Sequence, residues 1–182
     1  MAHHREHVRF DTLRNALYHT ARRRFFERWN RNFNFAVVML GTAVVADLTE
    51  FAAIPALWSG AAVAVIGTLQ LVLDFGGQAR EHQTLQREYY HLLADIESVI
   101  EPTDQQCAEW YSAMLRITAN ESPIYRVIDS EAHNDAIDAM DFFDQGERLI
   151  VPFWCKPFGS LCTFNGRNFK KVCEVEAASQ PA

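Results

Sequence analysis

Five polar side chains stand in or beside the most apolar part of this chain. Asp47 and Glu50 separate two apolar runs, Thr68 and Gln70 lie within the second, and Asp74 closes it. Residues of these types so placed could pass ions. Carboxylates ringing the mouths of a membrane path favour cations, with a hydroxyl and an amide lining the way between them. The plainer reading makes Asp47, Glu50 and Asp74 span boundaries that sit in headgroup water. Catalysis has no comparable support. Ser130 and His133 are i, i+3 neighbours without a nucleophile elbow or an oxyanion loop. Asp74-Phe75-Gly76 spells the metal-binding tripeptide of kinases, but the chain has no glycine-rich loop and no catalytic-loop segment to go with it. No catalytic residue, metal site or cofactor is expected, and the chain is not read as an enzyme.

The elements that would position these residues follow from hydrophobic spacing, and the fold class expected is all-α. Phe10, Leu13, Leu17, Ala21 and Phe25 recur at helical intervals among arginines, which predicts a basic amphipathic helix within residues 1–32. Residues 33–76 predict a two-span membrane hairpin. Its first span, about 33–48, has only 15 residues between Arg31 and Asp47, short of the roughly 20 that cross about 30 Å of hydrocarbon. The second, about 52–75, is free of charge from Phe51 to Leu73. Pro55 fits its first turn, and Gly60 and Gly67 offer a close approach to a partner helix.

Charge gives the hairpin a direction. Residues 1–31 hold eight arginines, whereas 95–147 hold 13 acids. Arginines precede the first span, Arg80 and Arg87 follow the second, and the loop between carries acids only. That is the positive-inside pattern with both termini cytoplasmic. A basic head on an acidic chain, ending where the apolar run begins, speaks for a membrane flank and against nucleic acid. The four cysteines show no close pairing and no secretory signal is read, so reduced thiols are expected.

Residues 77–145 predict a cytoplasmic helical bundle. Leu85, Tyr89, Leu92, Ile96 and Val99 form a coiled-coil-like seam on a helix of about 78–101. Thr103 and Gln106 spell a capping box for a helix at about 104–118, with Cys107, Trp110, Met114 and Ile117 inward. Ser122-Pro123 reads as the start of another at about 123–144. Its acids Asp135, Asp138, Asp141 and Asp144 form a stripe suited to pairing with the arginine-rich first helix. Residues 146–182 combine an aromatic segment broken by Pro152, Pro157 and Gly159 with a disordered tail. The aromatic part either lies in a membrane interface or caps the bundle.

The order of these parts resembles the bacterial SLATT family, two-transmembrane effector domains that associate with SMODS nucleotidyltransferases and SLOG domains. The similarity rests on "LYHTARRRFFERWNR", on "LQLVLDFGGQAREHQTLQREYYHLLADIE", and on Glu121, Pro123, Tyr125 and Arg126 with His133 and Asn134. It covers about residues 10–140. The resemblance implies an inner-membrane effector of a bacterial defence or conflict system. Such a protein would form a homo-oligomer in the lipid bilayer and permeabilise it when a nucleotide-signalling or sensor partner triggers it. The alternative is a non-conducting anchor or scaffold for a cytoplasmic partner.

Overall fold

The computed structural model describes residues 4–45, 56–140 and 142–179. Asp47 and Glu50, with Pro55, lie outside them. Six α-helices are described: α1 (Arg5–Val45), α2 (Ala56–Leu73), α3 (Phe75–Glu97), α4 (Asp104–Thr118), α5 (Arg126–Ala139) and α6 (Val172–Ser179). Two 3-10 turns occupy Gln145–Glu147 and Phe153–Phe158. The architecture is all-α: the described residues form no strand, and Leu149 and Lys171 make an isolated antiparallel bridge.

The basic helix and the first span, expected as separate segments, are one helix of 41 residues. Nothing in α1 stops it, since it has no proline and a single glycine, Gly41. Asn30, Asn32 and Asn34 are weak helix formers, but their cost of a few tenths of a kcal/mol each is easily outweighed by packing.

The chain divides into two compact units, Met1–Arg22 with His82–Ala182, and Arg23–Glu81. In the first, the start of α1 is an interior helix instead of one with a single apolar stripe. Val8 and Ala16 pack with Tyr89, Leu92 and Ile96 of α3 and Met114 of α4. Phe10 joins Ala136 and Ile137 of α5 and Met140 just after it, and Tyr18 joins Ile128 and Ala132. Because neighbours cover it on several sides, α1 buries Thr12, His19 and Arg22 as well, while Ala21 is exposed. Four of the five expected α3 seam positions, Leu85, Tyr89, Leu92 and Ile96, are buried, whereas Val99 falls beyond the helix end at Glu97 and is half-buried.

Helix starts show why spacing alone is a partial guide. Thr103 and Gln106 form the reciprocal capping box at α4. At α5 the cap is Tyr125, in extended conformation with no side-chain cap bond, and Ser122-Pro123 lies in the link before it. Tertiary partners take over the orphan N–H groups that a cap would satisfy. The Tyr125 N–H donates to Tyr18 Oη at 3.1 Å and the Arg126 N–H to the Thr163 carbonyl at 3.2 Å.

The aromatic segment caps this unit from one edge. Cys155 is fully buried and Gly159 is also inside. A Cβ on Gly159 would lie 2.6 Å from Val127 Cγ1 and 3.0 Å from Val127 Cβ. Gly159→Ala is expected to destabilise the protein by about 1–3 kcal/mol through overpacking, read as a lower denaturation midpoint of the full chain in detergent. An unchanged midpoint would mean that this segment does not seat on α5.

In the second unit, Phe75 packs with Phe26, Trp29 and Phe33 of α1. Beyond Phe33 the two apolar helices turn large side chains outward, including Phe35, Val38 and Met39 on α1 and Trp58, Val65, Leu71 and Val72 on α2.

Candidate functional site

Two sets of residues merit attention: the polar groups of the apolar helices and a buried polar cluster in the first unit.

In the apolar helices, Thr68 Oγ1 donates to the Ala64 carbonyl at 2.8 Å, a bond within its own helix. Thr68 also borders a shallow open groove of about 310 Å³ with Ala64, Val65 and Leu69. Gln70 Nε2 donates to Asn34 Oδ1 at 2.7 Å. Such an amide pair is a tie between α2 and α1, of the kind that holds helices together in hydrocarbon. Asp74 sits between α2 and α3 with φ 38°, in the left-handed region that costs a non-glycine residue about 1 kcal/mol or more. Its Oδ1 accepts from the Gly77 N–H at 3.0 Å, so the carboxylate caps α3. Gly77 is what makes room, since a Cβ there would lie 2.0 Å from Asp74 Oδ2. Gly76-Gly77, read as the end of the second span, thus falls inside a helix, and the break comes one residue before it, at Asp74.

The buried cluster joins α1, α3 and the end of α4. His19 Nδ1 lies 2.8 Å from His82 Nδ1. His19 Nε2 lies 3.1 Å from Glu121 Oε1, with the Glu121 side chain 7% exposed. Tyr89 Oη donates to the same carboxylate oxygen, and Thr118 Oγ1 is 2.8 Å from Tyr89 Oη. The sequence places these groups because His82 precedes Leu85 by three residues and Tyr89 by seven, on the inward seam of α3. Beside them Arg22 Nη1 donates to the Ser160 carbonyl at 2.8 Å, and its guanidinium lies 3.8 Å from the centre of the Tyr125 ring.

The electrostatics follow from burial and from the shared carboxylate. Burial, then the nearness of His19 and Arg22, pushes the His82 imidazole down to about 3. It is therefore neutral at pH 7, and a single proton serves the Nδ1···Nδ1 contact. Charging both rings would set two N–H groups against each other. Burial acts to raise Glu121, but hydrogen bonds from His19 and Tyr89, with the charges of His19 and Arg14, hold it below the ordinary carboxylate range. Burial and then Glu121 raise the Tyr89 phenol, which stays protonated. Drawn together in this way, the cluster ties three segments in one register, and it has the chemistry to respond to protons.

Each sequence-selected position around α5 can be placed. Glu121 is the hub of the cluster. Tyr125 stacks under Arg22, and the Arg126 backbone ties to Thr163. Pro123 is exposed in the link. His133 Nε2 lies 3.2 Å from the Glu147 carbonyl, with its ring against Phe10. Asn134 holds Leu149 at both ends, donating to its carbonyl at 2.9 Å and accepting from its N–H at 2.7 Å. The acidic stripe is engaged differently from the expected pairing with the first helix. Asp129 lies 3.5 Å from Arg14, but Asp138 pairs with Arg148, and Arg5 and Arg9 reach Glu97 of α3. Asp141 is outside the described residues.

Sequence reasoning passed over His19 and His82. The available signal was the α3 seam, which, extended one step toward the N-terminus, lands on His82. Among the described residues, no three His, Cys, Asp or Glu side chains gather as a metal site. Comparisons with family models, with curated proteins and with solved structures give no match to this chain.

Proposed function

We propose that this chain is a bacterial inner-membrane effector that crosses the bilayer twice, assembles with copies of itself through the hairpin, and permeabilises the membrane when a cytoplasmic partner acts on its helical bundle. The observation that carries the membrane part is exposure. Across Gly60–Glu97, which runs from α2 through Asp74 into α3, lies a stretch of mean hydropathy 1.5 with none of it buried, long and apolar enough to cross a membrane. Leu71 is 81% exposed and Phe35 of α1 is 67% exposed. In water such surfaces would be unfavourable by about 25 cal/mol for each Å² of apolar area, so lipid or further protein must cover them. The first span, read to residue 48, leaves the described residues after Val45. The effector role in a defence or conflict system, with its nucleotide-signalling or sensor partner, follows from the SLATT resemblance. The exposed Gly60 and Gly67, which no atom approaches within 4 Å of a built Cβ, give copies a surface on which to meet.

A second reading, a non-conducting anchor or scaffold, is favoured by one observation. Thr68 and Asp74 spend their polar atoms within or between their own helices, and Gln70 spends its amide on Asn34. Two measurements separate the readings. The protein is expected to stay in the membrane pellet after carbonate washing; complete release would reject both. Induced expression is expected to make cells leak ions or a small dye, whereas an intact barrier at equal membrane levels leaves only the anchor.

A further inference from the structure

We propose that the 3-10 turn at Phe153–Phe158 and the loop that follows it to Lys171 form a docking surface for anionic lipid headgroups. The inference rests on the membrane reading above. A 3-10 turn repeats every three residues, so side chains three apart share an edge. One edge carries Cys155, which is fully buried and fixes the turn to its own unit, with Phe158 at the end of that edge reaching back into solvent. A second carries Phe153 with Lys156, and the third Trp154 with Pro157. Phe153 is 84% exposed and Trp154 48%, and Phe158 and Leu161 follow at 56% and 61%. The backbone side of the segment is thus committed to the fold while four large apolar groups point outward from it.

Charge selects the occupant. Residues 149–171 contain Lys156, Arg167, Lys170 and Lys171 and no acid, in a chain of net charge −6. Arg167 lies over the Trp154 ring at 4.6 Å, placing a cation at an exposed indole face. Lys156 reaches Glu131 at 3.3 Å, with both side chains about half exposed, a pair that a phosphate oxygen could share. Lys171 is bound to Glu147 and contributes less. Aromatic groups alternating with cations fit the boundary where rings enter the acyl region and charges stay with headgroups. An acidic protein partner would match the cations but would leave Phe153 and Leu161 without hydrocarbon to enter.

The test uses full-length protein in proteoliposomes, with one tryptophan retained at a time and the others replaced by phenylalanine. Brominated-chain lipids serve as quenchers. Trp58 of α2 reports on the membrane reading and Trp154 on this inference. With phosphatidylglycerol present, both are expected to be quenched. In phosphatidylcholine alone Trp58 stays quenched and Trp154 loses its quenching. Each cation near an anionic surface contributes about 1 kcal/mol, so Lys156→Gln with Lys170→Gln is expected to weaken the Trp154 contact roughly 30-fold. An unchanged denaturation midpoint for that double variant shows that the fold is kept. Quenched Trp58 with unquenched Trp154 overturns the inference alone, as does Trp154 quenching that ignores lipid charge. Unquenched Trp58 removes the membrane reading and the inference with it.

Discussion

Glu121→Ala is expected to lower the stability of the helical bundle by about 1–3 kcal/mol. The change removes the carboxylate that His19 Nε2 faces and Tyr89 Oη donates to in a buried place; Tyr89 Oη can turn to Thr118 Oγ1 at 2.8 Å, whereas His19 Nε2 is left facing no acceptor. An unmet buried donor costs about 1–3 kcal/mol. Glu121→Gln keeps an acceptor of the same shape and should recover part of the loss. The measurement is the chemical denaturation midpoint of the full chain in detergent. Equal midpoints for wild type and Glu121→Ala would show that the cluster contributes nothing to the fold. The double variant His19→Ala with Glu121→Ala is expected to cost less than the sum of the single changes, since the two share one interaction.

Acidification is expected to destabilise the protein early, before ordinary carboxylates titrate. His82 is held down to about 3 in the fold, whereas an unfolded histidine binds its proton near 6.5. The unfolded state thus binds more protons as the pH falls below 6.5. The stability due to a neutral His82 is complete above that value and is lost between 6.5 and about 3. The slope is at most about 1.4 kcal/mol per pH unit. Glu121, held below its unfolded value, acts in the same direction at lower pH: its contribution is present above the unfolded value and lost as the pH drops through the folded one. Replacing His82 with glutamine removes the proton site and should flatten the slope from 6.5 downward, whatever it does to stability at pH 7. A profile as steep in that variant would rule His82 out as the source.

Much of the helical framework could be read from spacing because spacing reports local burial. The α3 seam and the Thr103 capping box need only neighbours within a turn or two, and both are present in the structure. Arg22 and Ala21 show the limit. A helix covered on several sides has no polar face to protect, so the stripe that placed Ala21 inward reversed two adjacent positions. The α5 start failed for a similar reason: the groups that satisfy its first N–H donors come from Tyr18 and Thr163, far away in sequence. Glu121 was selected through a resemblance, but its partners His19 and Tyr89 were invisible because they lie 102 and 32 residues away in the chain. Asp74 was legible as a boundary and not as a cap, since spacing does not show that its carboxylate turns back to the Gly77 N–H.

Asn134 has a consequence for the backbone of the extended stretch at Leu149. Its carboxamide presents a carbonyl and an N–H in the same order as a peptide group, and it meets Leu149 as a neighbouring strand would. The opposite side of that extended stretch is taken by Lys170 and Val172, through Ile150 N–H to the Lys170 carbonyl and Val172 N–H to the Arg148 carbonyl. A single side chain therefore meets both backbone polar groups of Leu149, which would otherwise need water or another backbone as partner.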